Sequence, residues 1–118
     1  MLYIEDNEAN KMLVHRILEA KGFHILHAED GQTGFEIARR EMPDLILMDI
    51  SLPGMDGLEA TGLIKNTEAV AHIPVIALTA NAMKGDAEKC LAAGCDAYLQ
   101  KPIGVKELLN LVYQYIDQ

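Results

Sequence analysis

Residues 44–57 read DLILMDISLPGMDG, and this stretch decides the fold class. Its first half, from Leu45 to Met48, is continuously apolar, which is typical of a central strand in a parallel sheet that helices cover on both faces. Asp49 follows the apolar run directly, and a loop that contains proline and glycine comes next. The stretch therefore predicts a buried strand that carries a carboxylate to the edge of a sheet.

The rest of the chain repeats this alternation of short apolar runs with longer amphipathic runs, which is the pattern of α/β proteins. The run from Val75 to Leu78 is continuously apolar like the first one. We predict five strands, at residues 2–5, 24–28, 44–49, 74–79 and 97–100. Right-handed crossovers then give a (βα)5 fold, a doubly wound five-stranded parallel sheet. For this fold class we expect the flavodoxin-like strand order 2-1-3-4-5.

The predicted helices between these strands have apolar residues at helical spacing. We place Met12, Leu13, Ile17 and Ala20 on the inward face of the first helix, which ends near Gly22. The inward residues of the later helices are Ile37 and Ala38, then Ala87, Cys90, Leu91 and Gly94, and finally Val105, Leu108, Leu109, Val112 and Ile116.

Composition limits the class of protein. With 118 residues, half of them hydrophobic, we expect residues 1–118 to form a single domain without an output domain. Eighteen acids against ten lysines and arginines give a net charge of −8, which argues against direct binding to nucleic acid or to anionic membranes. We find no signal peptide and no apolar run near the ~20 residues of a membrane span, so we predict a cytoplasmic protein.

Polar side chains gather where the predicted strands end, and in an open α/β sheet these ends meet at one edge. Three acids, a hydroxyl and an ammonium follow four of the strands: Glu5 and Asp6, Asp49, Thr79, and Lys101. Crowded carboxylates repel one another, and a bound cation relieves the repulsion. An all-oxygen ligand set favours Mg²⁺. On the central strand, Asp49 is the candidate nucleophile for a phosphoryl group, which Thr79 and Lys101 would contact.

In this order, the motifs resemble the receiver domains of two-component response regulators, over the whole chain. The matching pieces are Glu5-Asp6-Asn7, residues 44–49 with Pro53 and Met55-Asp56-Gly57, Thr79-Ala80, Ala93-Gly94, and residues 98–102. Residues 71–75 and 82–86 look most similar to stand-alone cell-cycle receivers and to the receivers of hybrid sensor histidine kinases.

The resemblance implies a phosphorylation site and a metal site. Asp49 is expected to accept a phosphoryl group from a histidine kinase or a histidine phosphotransfer domain. Mg²⁺, with Mn²⁺ as an alternative, is expected to bind Glu5, Asp6, Asp49 and the backbone carbonyl of Ser51. Ser51 and Asn81 match positions that influence the lifetime of the phosphoaspartate.

The resemblance also implies a switch. Lys101 is expected to contact the phosphoryl oxygens and to precede a cis peptide bond to Pro102. Thr79 is expected to move towards the phosphoryl group, and the rotamer of Tyr98 to follow, which changes the face formed by helix four, strand five and helix five.

The predicted function is thus a phosphorylation-controlled binding module that catalyses at most its own phosphorylation and dephosphorylation. Its expected partners are the phosphodonor protein and a downstream protein target, with no nucleic acid or membrane insertion, and the protein is expected to be a monomer or weak homodimer. The second hypothesis is an enzyme that uses Asp49 in turnover, such as a phosphatase of the haloacid dehalogenase type. Such a phosphatase normally has a second acid two residues after the nucleophile, and this chain has Ser51 there, which argues against it. A receiver that binds constitutively, without phosphorylation, is the third alternative.

Overall fold

The computed structural model describes residues 1–50, 56–80 and 85–116, in which five strands alternate with five helices. In chain order the elements are β1 (Leu2–Ile4), α1 (Glu8–Glu19), β2 (Leu26–Ala28), α2 (Gly31–Glu41), β3 (Ile46–Asp49), α3 (Gly57–Lys65), β4 (Val75–Thr79), α4 (Asp86–Ala93), β5 (Ala97–Gln100) and α5 (Val105–Tyr115). The strands pair in parallel in the order β2-β1-β3-β4-β5, which confirms the predicted fold. Four strands are one or two residues shorter than predicted, and β5 has the predicted bounds.

Helices cover both faces of the sheet, as the continuously apolar strands predicted. Side chains alternate between faces along a strand, so Ile46 and Met48 of β3 join the core under α2, α3 and α4. Leu47 points to the other face and packs with residues of α1 and α5. Because both faces of β3 are buried, the position of its last residue, Asp49, is determined by two layers of core packing.

The predicted inward face of α1 is wrong except for Ile17. Met12 and Leu13 are 54% and 46% exposed, whereas Val14 and Leu18 are fully buried and Ile17 packs beside them. The helix has apolar residues on more than one side, so helical spacing alone fits two different faces. Packing against the sheet selects the face that contains Val14 and Leu18.

The later helices are only partly as predicted. Ala38 of α2, Cys90 of α4, and Leu108 and Val112 of α5 are buried, but Leu91 and Val105 are each 51% exposed. Helices at the surface of this fold bury a narrow stripe, and the outlying members of each predicted stripe lie beyond it.

Side-chain caps fix where α1 and α3 start, the two helices that follow β1 and β3 in the chain. The Asn7 side chain accepts a hydrogen bond from the backbone N–H of Asn10, at 2.9 Å, before α1. Asp56 accepts one from the N–H of Glu59, at 2.8 Å, before α3. Caps of this kind satisfy N–H groups that the first turn of a helix leaves unpaired. The caps therefore fix the starts of the two helices that follow the strands of Glu5 and Asp49.

Candidate functional site

The three predicted acids meet at the carboxyl edge of the sheet. The pairing of Ile4 with Met48 places Glu5 beside Asp49, and both carboxyls are buried. Asp6, one residue further, is exposed. One oxygen from each of the three carboxyls lies within 4.8 Å of the others. The sequence prediction that these carboxylates crowd together is confirmed.

Lys101 brings a positive charge to the same cluster. Its Nζ lies 3.2 Å from Oδ1 of Asp49 and 3.6 Å from Oε1 of Glu5. The backbone N–H of Lys101 donates to the carbonyl of Thr79, at 2.7 Å, which ties the end of β5 to the end of β4. The peptide bond from Lys101 to Pro102 is cis, as predicted. The ammonium therefore bridges two buried carboxylates.

The electrostatics of the cluster favour a cation. Burial, together with the hydrogen bond and charge of Asp49, raises the pKa of Glu5 from 4.5 to about 7. The Tyr3 hydroxyl and the Lys101 ammonium oppose this rise only in part. A divalent ion would offset both the burial and the repulsion that raise this pKa, and an oxygen-only donor set with one exposed carboxylate suits Mg²⁺, which retains several waters.

Glu5 is held by Tyr3, Asn7 and His27, none of which was predicted as a site residue. The Tyr3 hydroxyl donates to Oε1 of Glu5 at 2.9 Å, and the Asn7 N–H donates to Oε2 at 3.3 Å. A ring nitrogen of His27, Nε2, lies 3.0 Å from the Glu5 carbonyl oxygen. Tyr3 stands two residues before Glu5, so strand alternation points both side chains to one face, and this signal was available in the sequence.

Two histidines lie behind this cluster. His15 is half-buried, and its ring lies 5.8 Å from His27 and 6.4 Å from Tyr3. Burial raises the pKa of the Tyr3 hydroxyl and lowers the pKa of His27. Both groups therefore stay uncharged under Glu5 near neutral pH.

The two predicted switch residues differ in exposure. Thr79 is buried at the end of β4, and its Oγ1 donates to Oδ2 of Asp86, the first residue of α4, at 3.0 Å. Tyr98 of β5 is 39% exposed, so its ring lies on the outer surface. Asp86 is a contact that no sequence motif indicated, because it depends on how the chain returns from β4 into α4.

Gly57 keeps the backbone after Asp49 in place. Its N–H donates to the carbonyl of Ile50 at 3.2 Å, and a Cβ at this position would overlap the Asp49 carbonyl oxygen and the Ile50 Cα. Only glycine permits so close an approach of the start of α3 to the end of β3. The glycine in the Met55-Asp56-Gly57 motif therefore has a packing role next to the site.

Some predicted site residues lie outside the described part of the chain. These are Ser51, with its carbonyl ligand and its influence on phosphate lifetime, and Asn81. Their roles remain predictions.

Comparison with known proteins gives one consistent result. A family model described as the response regulator receiver domain matches residues 1–113. The polar-differentiation response regulator DivK of Brucella ovis is 44% identical over 116 residues, which cover 98% of this chain and 94% of DivK. Among the described residues, none of the helices combines the length and the apolar character needed to cross a membrane.

Crystal structures agree with the sequence relatives. The receiver domain of the sensor histidine kinase PA1611 from Pseudomonas aeruginosa, with a magnesium ion coordinated in its active site cleft, is 39% identical. It aligns with a TM-score of 0.92 over 99% of this chain and 96% of its own. A co-crystal structure of the histidine phosphotransfer signalling protein Ypd1 of Saccharomyces cerevisiae with the receiver domain of its response regulator Ssk1 also matches. The match has 28% identity and a TM-score of 0.90, and it covers 97% of this chain and 86% of the matched chain.

Proposed function

The chain belongs to the response regulator receiver domain family, and on that premise we propose that it is a signalling switch in which Asp49 accepts a phosphoryl group from a phosphohistidine. The observation that carries this proposal is the placement of a buried Asp49 between the acids Glu5 and Asp6 and the ammonium of Lys101. A buried carboxylate flanked by a potential cation site and a fixed ammonium has the groups that phosphoryl transfer needs.

In the proposed reaction, a carboxylate oxygen of Asp49 attacks the phosphorus of the phosphohistidine. The bond from phosphorus to the imidazole nitrogen breaks, its electron pair leaves with the imidazole, and an acyl phosphate forms on Asp49. Lys101, 3.2 Å from Oδ1, is near enough to shift its ammonium to an incoming phosphoryl oxygen. Exchange of one anionic partner for another requires little movement of the side chain.

Glu5, Asp6 and Asp49 would hold the divalent cation, which we propose to be Mg²⁺, with Mn²⁺ as the alternative. When bound, such a cation supplies charge neutralisation for the phosphoryl oxygens and for the carboxylates. Asp6 is the exposed member of the set and is accessible to solvent. The magnesium ion in the related Pseudomonas aeruginosa receiver domain supports this assignment.

The output of the switch is proposed to be a change in protein binding. Thr79 would donate its hydroxyl to the phosphoryl group, and Tyr98, now exposed, would turn inward and alter the face formed by α4, β5 and α5. The phosphodonor would be a histidine kinase or a histidine phosphotransfer domain, and a downstream protein would recognise the altered face. The co-crystal of Ypd1 with the Ssk1 receiver domain supports the first of these partners.

Phosphorylation by a small donor tests the proposal directly. The protein is incubated with MgCl₂ and acetyl phosphate, and intact mass is measured. We expect one phosphoryl adduct in the wild type and in Asp44→Asn, an exposed carboxylate before β3, but none in Asp49→Asn or with EDTA. Folded wild-type protein without an adduct would overturn the proposal, and steady turnover of a generic phosphoester would favour the phosphatase alternative.

A further inference from the structure

A hydrogen bond joins the end of β4 to the start of α4. The Thr79 hydroxyl donates to Oδ2 of Asp86 at 3.0 Å. Thr79 is buried, whereas Asp86 is partly exposed at the first position of the helix. The residue before the helix, Gly85, makes no side-chain capping bond, so Asp86 supplies the polar side-chain contact at this terminus.

The hydroxyl of Thr79 cannot serve two acceptors. A threonine hydroxyl has one hydrogen to donate, and here it points to a carboxylate, which makes a charge-assisted bond. If the proposed switch operates, the same hydrogen is needed by a phosphoryl oxygen on Asp49. The bond to Asp86 must therefore break whenever Thr79 contacts the phosphoryl group.

Asp86 can release the hydroxyl at a moderate free-energy cost. Its carboxylate stands in the first turn of α4, where the positive end of the helix dipole stabilises an acid, and its partial exposure allows water to replace the hydroxyl. The two arrangements of Thr79 can therefore lie close in free energy, which is what a switch requires.

From this geometry we propose that Asp86 is a positioning residue, which holds Thr79 in the unphosphorylated arrangement and limits how readily Asp49 is phosphorylated. The inference rests on the proposed function, because it concerns the same site. It also gives a physical link from the site to the α4–β5–α5 face, because breaking this bond removes a contact between the end of β4 and the first turn of α4.

A double-mutant cycle tests the link. Initial rates of phosphorylation by acetyl phosphate with MgCl₂ are compared for the wild type, Asp86→Ala, Thr79→Val and the double variant. We expect Asp86→Ala to raise the rate by about tenfold, since a hydrogen bond to a charged group no longer competes for Thr79. In the Thr79→Val background, the same substitution should change nothing.

Two further variants separate the hydrogen bond from charge. Asp86→Asn keeps an acceptor oxygen without the charge, so its phosphorylation rate should be close to the slow rate of the wild type. Glu88→Ala removes an exposed negative charge from the same first turn and should leave the rate unchanged. Equal acceleration by Asp86→Ala and Asp86→Asn would overturn the inference, and so would an effect of Asp86→Ala that persists in the Thr79→Val background.

A measurement without phosphodonor keeps this test independent of the proposed function. Three-bond couplings in NMR report the χ1 rotamer of Thr79 in the unphosphorylated protein. We expect a single rotamer in the wild type and in Glu88→Ala, and averaged couplings in Asp86→Ala. Unchanged couplings in Asp86→Ala would refute the positioning role, whereas failure of Asp49 to accept phosphate would refute only the function.

Discussion

Replacing the buried Glu5 with glutamine should stabilise the metal-free protein at alkaline pH. The pKa of Glu5 is raised from 4.5 to about 7, so as pH rises the unfolded chain releases this proton before the folded protein does. The free energy of unfolding therefore falls between about pH 4.5 and pH 7, and the loss is complete above pH 7. A rise of the pKa from 4.5 to about 7 corresponds to about 3 kcal/mol.

Urea unfolding, followed by circular dichroism in EDTA, measures this effect. Because glutamine resembles the protonated acid, Glu5→Gln should match the wild type at about pH 4, below the window in which Glu5 ionises, and exceed its stability by up to about 3 kcal/mol at about pH 8. Glu68→Gln, at an exposed position, is the matched control and should follow the wild type at both pH values. MgCl₂ at the higher pH should restore wild-type stability, since the cation replaces the missing proton.

The comparison of variants isolates Glu5 from other groups. Burial lowers the pKa of His27, so acid conditions destabilise the fold through that side chain, but His27 contributes to the wild type and to Glu5→Gln alike. If the two proteins lost the same free energy of unfolding between the two pH values, the crowding of Glu5 with Asp49 would have no energetic consequence, and the argument for a cation site would lose its physical basis.

Three further predictions concern packing and charge away from Glu5. Gly57→Ala should lower the free energy of unfolding in urea by about 1 to 3 kcal/mol, because its Cβ overlaps backbone. Gly62→Ala in the same helix meets open space and should raise the free energy of unfolding by about 0.5 to 1 kcal/mol. Similar values for both variants would contradict the packing role of Gly57. Lys65→Met removes a donor to three acceptor oxygens and should cost about 2 kcal/mol, against no change for the exposed Lys106→Met. Burial raises the pKa of Cys90 from 9.0 to about 11, so at about pH 8 the folded protein has about 100-fold less of the reactive thiolate. Cys90 should therefore react with Ellman's reagent about 100-fold more slowly in folded than in urea-unfolded protein. Equal rates would show that the thiol is accessible.

The fold and the main site were predictable because each rests on a local signal. Short apolar runs that end in polar residues indicate parallel strands, and in such a sheet the strand ends meet at one edge whatever the details of the helices. For this reason Glu5, Asp49 and Lys101 could be placed together before the structure was known. Strand ends were less certain, because a backbone leaves the sheet gradually and its sequence need not change there.

Contacts that depend on packing angles or on the path of a connection were not predictable. The choice between the face of Leu13 and the face of Leu18 depends on how α1 lies on the sheet, and the sequence pattern fits both. The bond from Thr79 to Asp86 depends on the return of the chain from β4 into α4. Neither feature has a sequence spacing of its own, since each is set by the arrangement of elements already formed.

Charged side chains are paired differently at the two ends of the sheet. At the amino end, Lys65 donates to the carbonyls of Ala71 and Ile73 and to Asp96, whose Oδ2 also accepts the N–H of Val75. Each charge there has several partners, and the ammonium and carboxylate neutralise each other.

At the carboxyl end, three acids lie together, Glu5, Asp6 and Asp49, and the ammonium of Lys101 pairs with two of them, Glu5 and Asp49. Stability alone would favour neutral side chains in such a cluster, as it would for any buried excess of like charge. Under the proposed function, the excess negative charge at this end has a physical reason, because a bound cation and a phosphoryl group would both use it, whereas the network of Lys65 and Asp96 is satisfied within the fold.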